Sequence, residues 1–376
     1  MKKMNKSRIG LDKLAFYIPY SALFSYAFFG HIEAITMPLK ILAICSISLL
    51  IVSLPKRIKE LDPKKIIPVL GLLLLSAIYI LTAGNFILMK ITILLLAANS
   101  ISFDQRISFD LKLRTSLILL MLCMCALGVI QNEIINFTDS SGTIKYNLGF
   151  SNANTLGMHS LILCMDIIYL LRKKSTGATV AICSFIMILM YTFTKSRAAF
   201  YSTLICLFLI VLNRIKPAIF KNKIIKKIII LSPIIFSLGV IAIYIVAKNN
   251  PSLGYQLDYL TSGRITNIRI FVSNFPVTLF GSDITTIGAT CDVSTIFALY
   301  AFGAIGLALF LCAFVKLQKH LYRQKEITLA LIILAFLIYG LSEKLWLYAD
   351  YNIFMTAFTF LLTGTRVKEL RNATNQ

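Results

Sequence analysis

Charged residues are scarce in this chain. Only 14% of its 376 residues are Asp, Glu, Lys or Arg, where soluble domains carry about a quarter. Acidic residues are the scarcer sign, 16 against 38 basic ones. That poverty leaves too little polar surface for a water-soluble globule, and no stretch is long and polar enough to be an appended soluble domain. The three histidines, His31, His159 and His320, lie far apart, and the eight cysteines show neither metal-ligand spacing nor a disulfide framework. Seven of them, Cys45, Cys123, Cys125, Cys164, Cys183, Cys206 and Cys312, fall inside apolar runs, where a thiol is a small hydrophobic side chain. Cys291 alone is in a polar segment. No internal repeat is visible, which counts against a transporter built from duplicated halves. The single tryptophan, Trp346, falls where a membrane–water boundary is expected, a common place for that side chain.

What is present is hydrocarbon. Hydrophobic residues make up 58% of the chain, and the mean hydropathy is +0.81. Runs of 16 to 20 apolar residues recur, each long enough to cross a hydrocarbon core of about 30 Å as a helix. The expectation is an all-α, polytopic membrane protein forming one domain over 1–376. About twelve spans are expected, at 14–30, 36–54, 66–82, 86–103, 115–135, 155–171, 178–194, 198–213, 228–247, 295–314, 327–343 and 350–364. Grouping Lys and Arg by the intervening loops puts 29 of the 38 on one side and seven on the other, with Lys40 and Lys90 inside spans. Excess Lys and Arg marks the cytoplasmic side, so both termini are expected there, with the 248–293 loop outside. The first span follows a basic segment but no small-residue cleavage site, and reads as a retained anchor. The net charge of +22 lies in short loops between spans, which points to a membrane rather than to nucleic acid.

The 248–293 loop, between the ninth and tenth spans, is the longest polar interruption. Residues 256–275 suit an interfacial helix with Leu257, Leu260, Ile265, Ile268, Phe271 and Phe275 on its apolar side, ended by Pro276. Arg264 and Arg269 lie on that segment, and a guanidinium can grip phosphate oxygens in a bidentate fork. The plain alternative is a solvated or headgroup-facing charge. Arg197, with Lys195, closes the tight turn between spans seven and eight; snorkelling is its alternative role. Asp292 precedes the tenth span and suits either a general base on a sugar hydroxyl or a helix N-cap. Asn152 and Asn154, at the entry to span six, suit sugar hydrogen bonds or turn and cap. His159 and Asp166 lie seven apart on one face of that span, where ionisable groups are costly and face an interior or cavity. Lys40 and Lys90 are expected to snorkel or to pair with such acids.

Four of these features together resemble the O-antigen polymerase and ligase superfamily. Gly149-Phe150-Ser151-Asn152-Ala153-Asn154 is similar to that family's glycine-phenylalanine-and-asparagine entry to a mid-chain span, and Thr194-Lys195-Ser196-Arg197 to its Ser-Arg hairpin. Gly263-Arg264, with Pro276 and Gly281 downstream, is similar to its external-loop arginine. Asp292, eleven residues before Gly303, sits where members carry Asp-Asn or His-Asn ahead of a glycine-containing span. The likeness covers about 145–310. It implies a GT-C-like membrane glycosyltransferase of the bacterial inner membrane, acting without metal or other cofactor. Its substrate would be an undecaprenyl-diphosphate-linked oligosaccharide; membrane lipid, a chain-length regulator and a flippase would be its partners. It assigns catalysis to Asp292, Arg197 and Arg264, and substrate contacts to Arg269, Asn152, Asn154, Lys195 and His159. Ligases of this superfamily carry a histidine in the external loop, and this loop has none. The polymerase reading is therefore preferred, with ligase and lipid-linked oligosaccharide flippase as alternatives.

Overall fold

The structure, a computed structural model, describes residues 6–59, 61, 63–136, 144–284 and 291–363. The basic residues counted at Lys2 and Lys3 and in the tail at Arg366, Lys368 and Arg371 lie outside the described residues. The chain is helical nearly throughout. Its elements are α1 (Lys6–Phe29), α2 (Glu33–Lys59), α3 (Pro63–Ala83), α4 (Ile87–Ala98), α5 (Phe103–Ala126), a short antiparallel hairpin of β1 (Ile134–Asn136) and β2 (Ile144–Tyr146), α6 (Ala153–Leu170), α7 (Thr176–Thr194), α8 (Arg197–Ile215), α9 (Pro217–Lys221), α10 (Lys223–Asn249), α11 (Pro251–Leu260), α12 (Arg264–Asn274), α13 (Ser294–Arg323), α14 (Ile327–Tyr339) and α15 (Thr359–Thr363). Helix is the expected state for such runs, because lipid offers no partner for a bare backbone amide. Short polar side chains open the helices: Asn152 caps α6, Ser175 caps α7 and Asn222 caps α10.

Eleven of the twelve expected spans coincide with α-helices; the last is a 3-10 helix at Ile353–Phe358 running into α15. Among the described residues six helices are long and apolar enough to cross a membrane, namely α3, α6, α7, α8, α10 and α13. There are seven if α4 and α5, which are separated by a sharp break, count as one span. The expected loop at 104–114 is corrected. It is the first half of α5, a continuous helix capped by Ser102. Its inward stripe is Phe103, Arg106, Ile107, Asp110, Arg114, Ile118 and Met121, and the two arginines counted as loop charges are fully enclosed.

The chain gathers into two compact units, each discontinuous in sequence. The first is Met1–Leu54 with Ala97–Pro217; the second is Pro55–Leu96 with Ala218–Gln376. In the first, α6 is the central element and packs on α5, α7 and α8. In the second, α13 and α10 pack on each other and on α14, whose residues from Leu329 to Leu337 are all buried. Trp346 is also in this core. It is 1% exposed, its Nε1 donates to the Phe336 carbonyl at 3.0 Å, and it lies so close to Gly340 that no Cβ fits there. Lys90 does pair with an acid, Asp350, at 3.1 Å.

Candidate functional site

The second unit holds the arginine and carboxylate of the polar segment. The expected helix over 256–275 is two helices, broken where Ser262 (φ 55°) and Gly263 (φ 83°) adopt left-handed conformations in succession. Glycine takes that conformation without cost, and it makes Arg264 the first residue of α12. Asp258 secures the new start, accepting from Thr266 N at 2.8 Å and Thr266 Oγ1 at 2.7 Å. Of the expected apolar side, Ile265, Ile268 and Phe271 are buried, the last two against Val240, Cys291, Val293, Ile296 and Tyr300, whereas Leu260 is exposed.

That packing fixes Arg264 at the start of α13. Its Nη2 donates to Glu343 Oε1 at 2.7 Å and its Nε to the Ser342 carbonyl at 3.2 Å. Nη1 donates to the carbonyls of Thr261 (3.2 Å) and Ser262 (3.3 Å). The guanidinium is not a solvated loop charge: its side chain is 16% exposed. Arg269, five residues on, is exposed. Glu343 sits in the turn after α14, locked by Ser294 Oγ donating to its carbonyl at 2.6 Å. Burial pushes its carboxyl up to about 7, the Asp292 carboxylate adds to the rise, and Arg264 opposes it. Asp292 is half-buried. The expectation that it caps the tenth span is corrected. Val293 holds the cap position, with no side-chain cap bond, and Ser294 N donates instead to the Gly340 carbonyl at 3.0 Å. Sequence reading missed Glu343 because it was folded into the expected span 327–343. A lone acid inside an apolar run is itself a functional signal, and that signal was there to use.

The downstream Gly281 also acquires a role. After α12 the chain runs on through Pro276, and residues 278–282 lie along α13 at a break in that helix. Gly303 has φ 68° and ψ −176°, a conformation essentially restricted to glycine. It is nine residues into α13, about 13 Å from its start. A break strands backbone groups in a place where water is scarce. The segment meets them: Ser282 N donates to the Tyr300 carbonyl at 2.9 Å, Ala304 N to Thr278 O at 2.9 Å and Ile305 N to Leu279 O at 3.2 Å. Gly281 (φ 82°) and Gly303 touch backbone to backbone, with no room for a Cβ on either.

The first unit holds the other predicted residues. Leu148 and Gly149 turn the chain with positive φ, and His31 Nε2 lies 2.8 Å from the Gly149 carbonyl. Asn152 is exposed and accepts from Thr155 N at 2.9 Å, so the cap role is realised; Asn154 is half-buried. Lys195 (φ 50°) closes α7, its Nζ 5.6 Å from the Tyr191 ring centre. Arg197 opens α8 and is exposed. The two motifs meet in this unit: a Cβ on Gly157 would stand 2.5 Å from Ser196 Cβ and Oγ. Only glycine lets α6 approach the hairpin that presents Arg197. His159, half a turn further on, is fully enclosed. Its Nδ1 lies 2.7 Å from Arg114 Nη1, and Arg114 in turn forks onto Asp110. His159 and Asp166 do share a face, and what they face is this pair. Arg197, Lys195, Asn152, Asn154 and His159 thus belong to one unit, Arg264, Arg269 and Asp292 to the other. No family model, no curated protein and no solved structure matches this chain.

Proposed function

We propose that the chain is a polysaccharide polymerase of the bacterial cytoplasmic membrane, with about twelve crossings in a GT-C-like arrangement and both termini in the cytoplasm. It transfers a growing glycan from undecaprenyl diphosphate onto the sugar end of an incoming lipid-linked repeat unit. The bond from the anomeric carbon to the diphosphate breaks, a glycosidic bond to the acceptor hydroxyl forms, and that hydroxyl's proton passes to a carboxylate.

The observation that carries this reading is Arg264 gathered with Glu343 and Asp292 at the start of α13. A guanidinium beside two carboxylates supplies an anion holder and a base in one place. Burial raises the Glu343 carboxyl to about 7, which weakens its hold on Arg264 near neutral pH. A diphosphate can therefore displace it from Arg264. Asp292 orients or deprotonates the acceptor. Both substrates bring a diphosphate, and Arg197 with Lys195 is the second phosphate-binding group. Arg269, Asn152 and Asn154 are placed in this reading at the glycan, while His159 acts through Arg114 rather than by touching sugar. A flippase and a chain-length regulator are the expected partners. One observation favours a second reading, transport of lipid-linked oligosaccharide: a helix broken inside its apolar length, as at Gly303, often lines a transport path.

The test is polymerisation of purified lipid-linked repeat units by purified protein. Wild type is expected to give a ladder. Arg264→Ala and Arg197→Ala should give single units at normal protein abundance, and lysine should restore little at either site. Asp292→Asn should fall by about 10²- to 10⁴-fold. Absence of any ladder from folded, flippase-free wild-type preparations would favour transport instead, and full activity of both alanine variants would remove the arginines from the mechanism.

A further inference from the structure

We infer that the first unit contains a proton-binding site, a single proton held between Asp110 on α5 and Asp166 on α6. Tyr20, Asp110, Arg114, His159 and Asp166 are each 0% exposed. Arg114 Nε donates to Asp110 Oδ2 at 3.0 Å and Nη2 to Asp110 Oδ1 at 3.1 Å, and Tyr20 Oη donates to Asp110 Oδ1. A guanidinium has no acceptor. The 2.7 Å contact from Arg114 Nη1 to His159 Nδ1 therefore makes His159 the acceptor, a neutral imidazole with its proton on Nε2. Arg114 also lies 4.6 Å from the Phe24 ring centre.

Asp166 completes the cluster. Both of its carboxyl oxygens are buried, and among the described residues no N–H or O–H donates to either; the acid it faces is Asp110. Two ionised carboxylates are both acceptors and cannot bond to each other; one must carry a proton. Charge leads to the same place. One cation faces two acids, and a lone buried charge costs several kcal/mol. Asp110 already accepts three bonds, so it is the ion, and Asp166 carries the proton and donates it. The other groups around the cluster do not alter the balance. Arg106, one turn before Asp110, turns to the Ile101 carbonyl (3.0 Å) and has Tyr17 and Tyr169 as its electrostatic neighbours. Asp104 is taken by Arg172 at 2.8 Å. From α7 and α8 the neighbours are the Cys183 and Cys206 thiols, by way of Cys164. Loss of the proton would set two like charges face to face across the α5–α6 contact, so proton occupancy and that contact are linked.

Infrared difference spectroscopy of the purified protein at neutral pH reads the proton directly. A Glu343→Gln background removes the other carboxyl raised toward the neutral range among the described residues. The expected result is a protonated-carboxyl C=O band that shifts in D2O and disappears in Asp166→Asn. That variant keeps the charge count and a donor to Asp110, so its thermal midpoint should stay near that of the background. If Asp166→Asn does not fold, Asp110→Asn replaces it: Asp166 then becomes the counter-ion of Arg114, and the band must again vanish. No such band in the background protein, or a band that survives the asparagine substitution, overturns the inference.

Discussion

At the residue scale the molecule turns on buried acids, and Glu343 is the one whose titration can be followed through stability. Its carboxyl moves from an ordinary 4.5 up to about 7 because burial outweighs the attraction of Arg264. Below pH 4.5 both folded and unfolded chains hold the proton, and the contribution is fully present. Between about 4.5 and about 7 the unfolded chain has released a proton that the folded one keeps, so stability falls as pH rises. Above about 7 the loss is complete and amounts to on the order of 3 kcal/mol. Melting of the detergent-solubilised protein across that window should therefore show a slope that Glu343→Gln removes. Equal slopes in the two proteins would mean that the carboxyl is not desolvated. Arg264 is the partner in this balance. Its sequence neighbours gave the glycine and the loop, but the acid that holds it is 79 positions away. A contact of that range has no local signature.

Helix identity was legible at the element scale, and helix continuity was not. Apolar runs located nearly every helix because membrane-length hydrocarbon permits little else. Charged residues misled where they faced inward. Arg106, Asp110 and Arg114 are spaced by four, a helical face, yet as charges they read as a loop. The reverse error befell 256–275, where an apolar side at helical spacing concealed the break at Ser262-Gly263. The break at Gly303 was signalled only by a glycine in an apolar run, and glycines of that kind are common in membrane helices. It yields a direct prediction. Gly303→Ala must place a Cβ against the Leu279 carbonyl and hold alanine at φ 68°. Backbone strain alone costs about 1–3 kcal/mol, and the contact with the 278–282 segment is lost with it. Gly239→Ala in α10 is the control, since nothing lies within 4 Å of its added Cβ. The first variant should show a lower melting midpoint and lower yield, the second neither. Equal behaviour would mean that the 278–282 segment does not lie against α13.

At the scale of the whole molecule the two units separate the predicted site residues by chain segment, a division that hydropathy cannot reveal because every span looks alike to it. What the sequence does carry is the sidedness of the charges, 29 Lys and Arg against seven. The structure trims that count, since Arg106 and Arg114 are enclosed and face no compartment, but the asymmetry survives their removal. It predicts that the turn opening α10 is cytoplasmic and that α11 is outside. Ser252, in the first turn of α11, and Asn222, before α10, are both exposed, and α10 between them is long and apolar enough to cross a membrane. Each is replaced singly by cysteine in a background whose eight cysteines are alanine. Cysteine at 252 is expected to react with an impermeant thiol reagent in intact spheroplasts, and cysteine at 222 only after the membrane is opened. Reaction of both before opening would mean that α10 does not cross. The opposite pattern would turn the molecule over and place Arg264, Glu343 and Asp292 in the cytoplasm. A polymerase acting on exported lipid-linked glycans could not use them there.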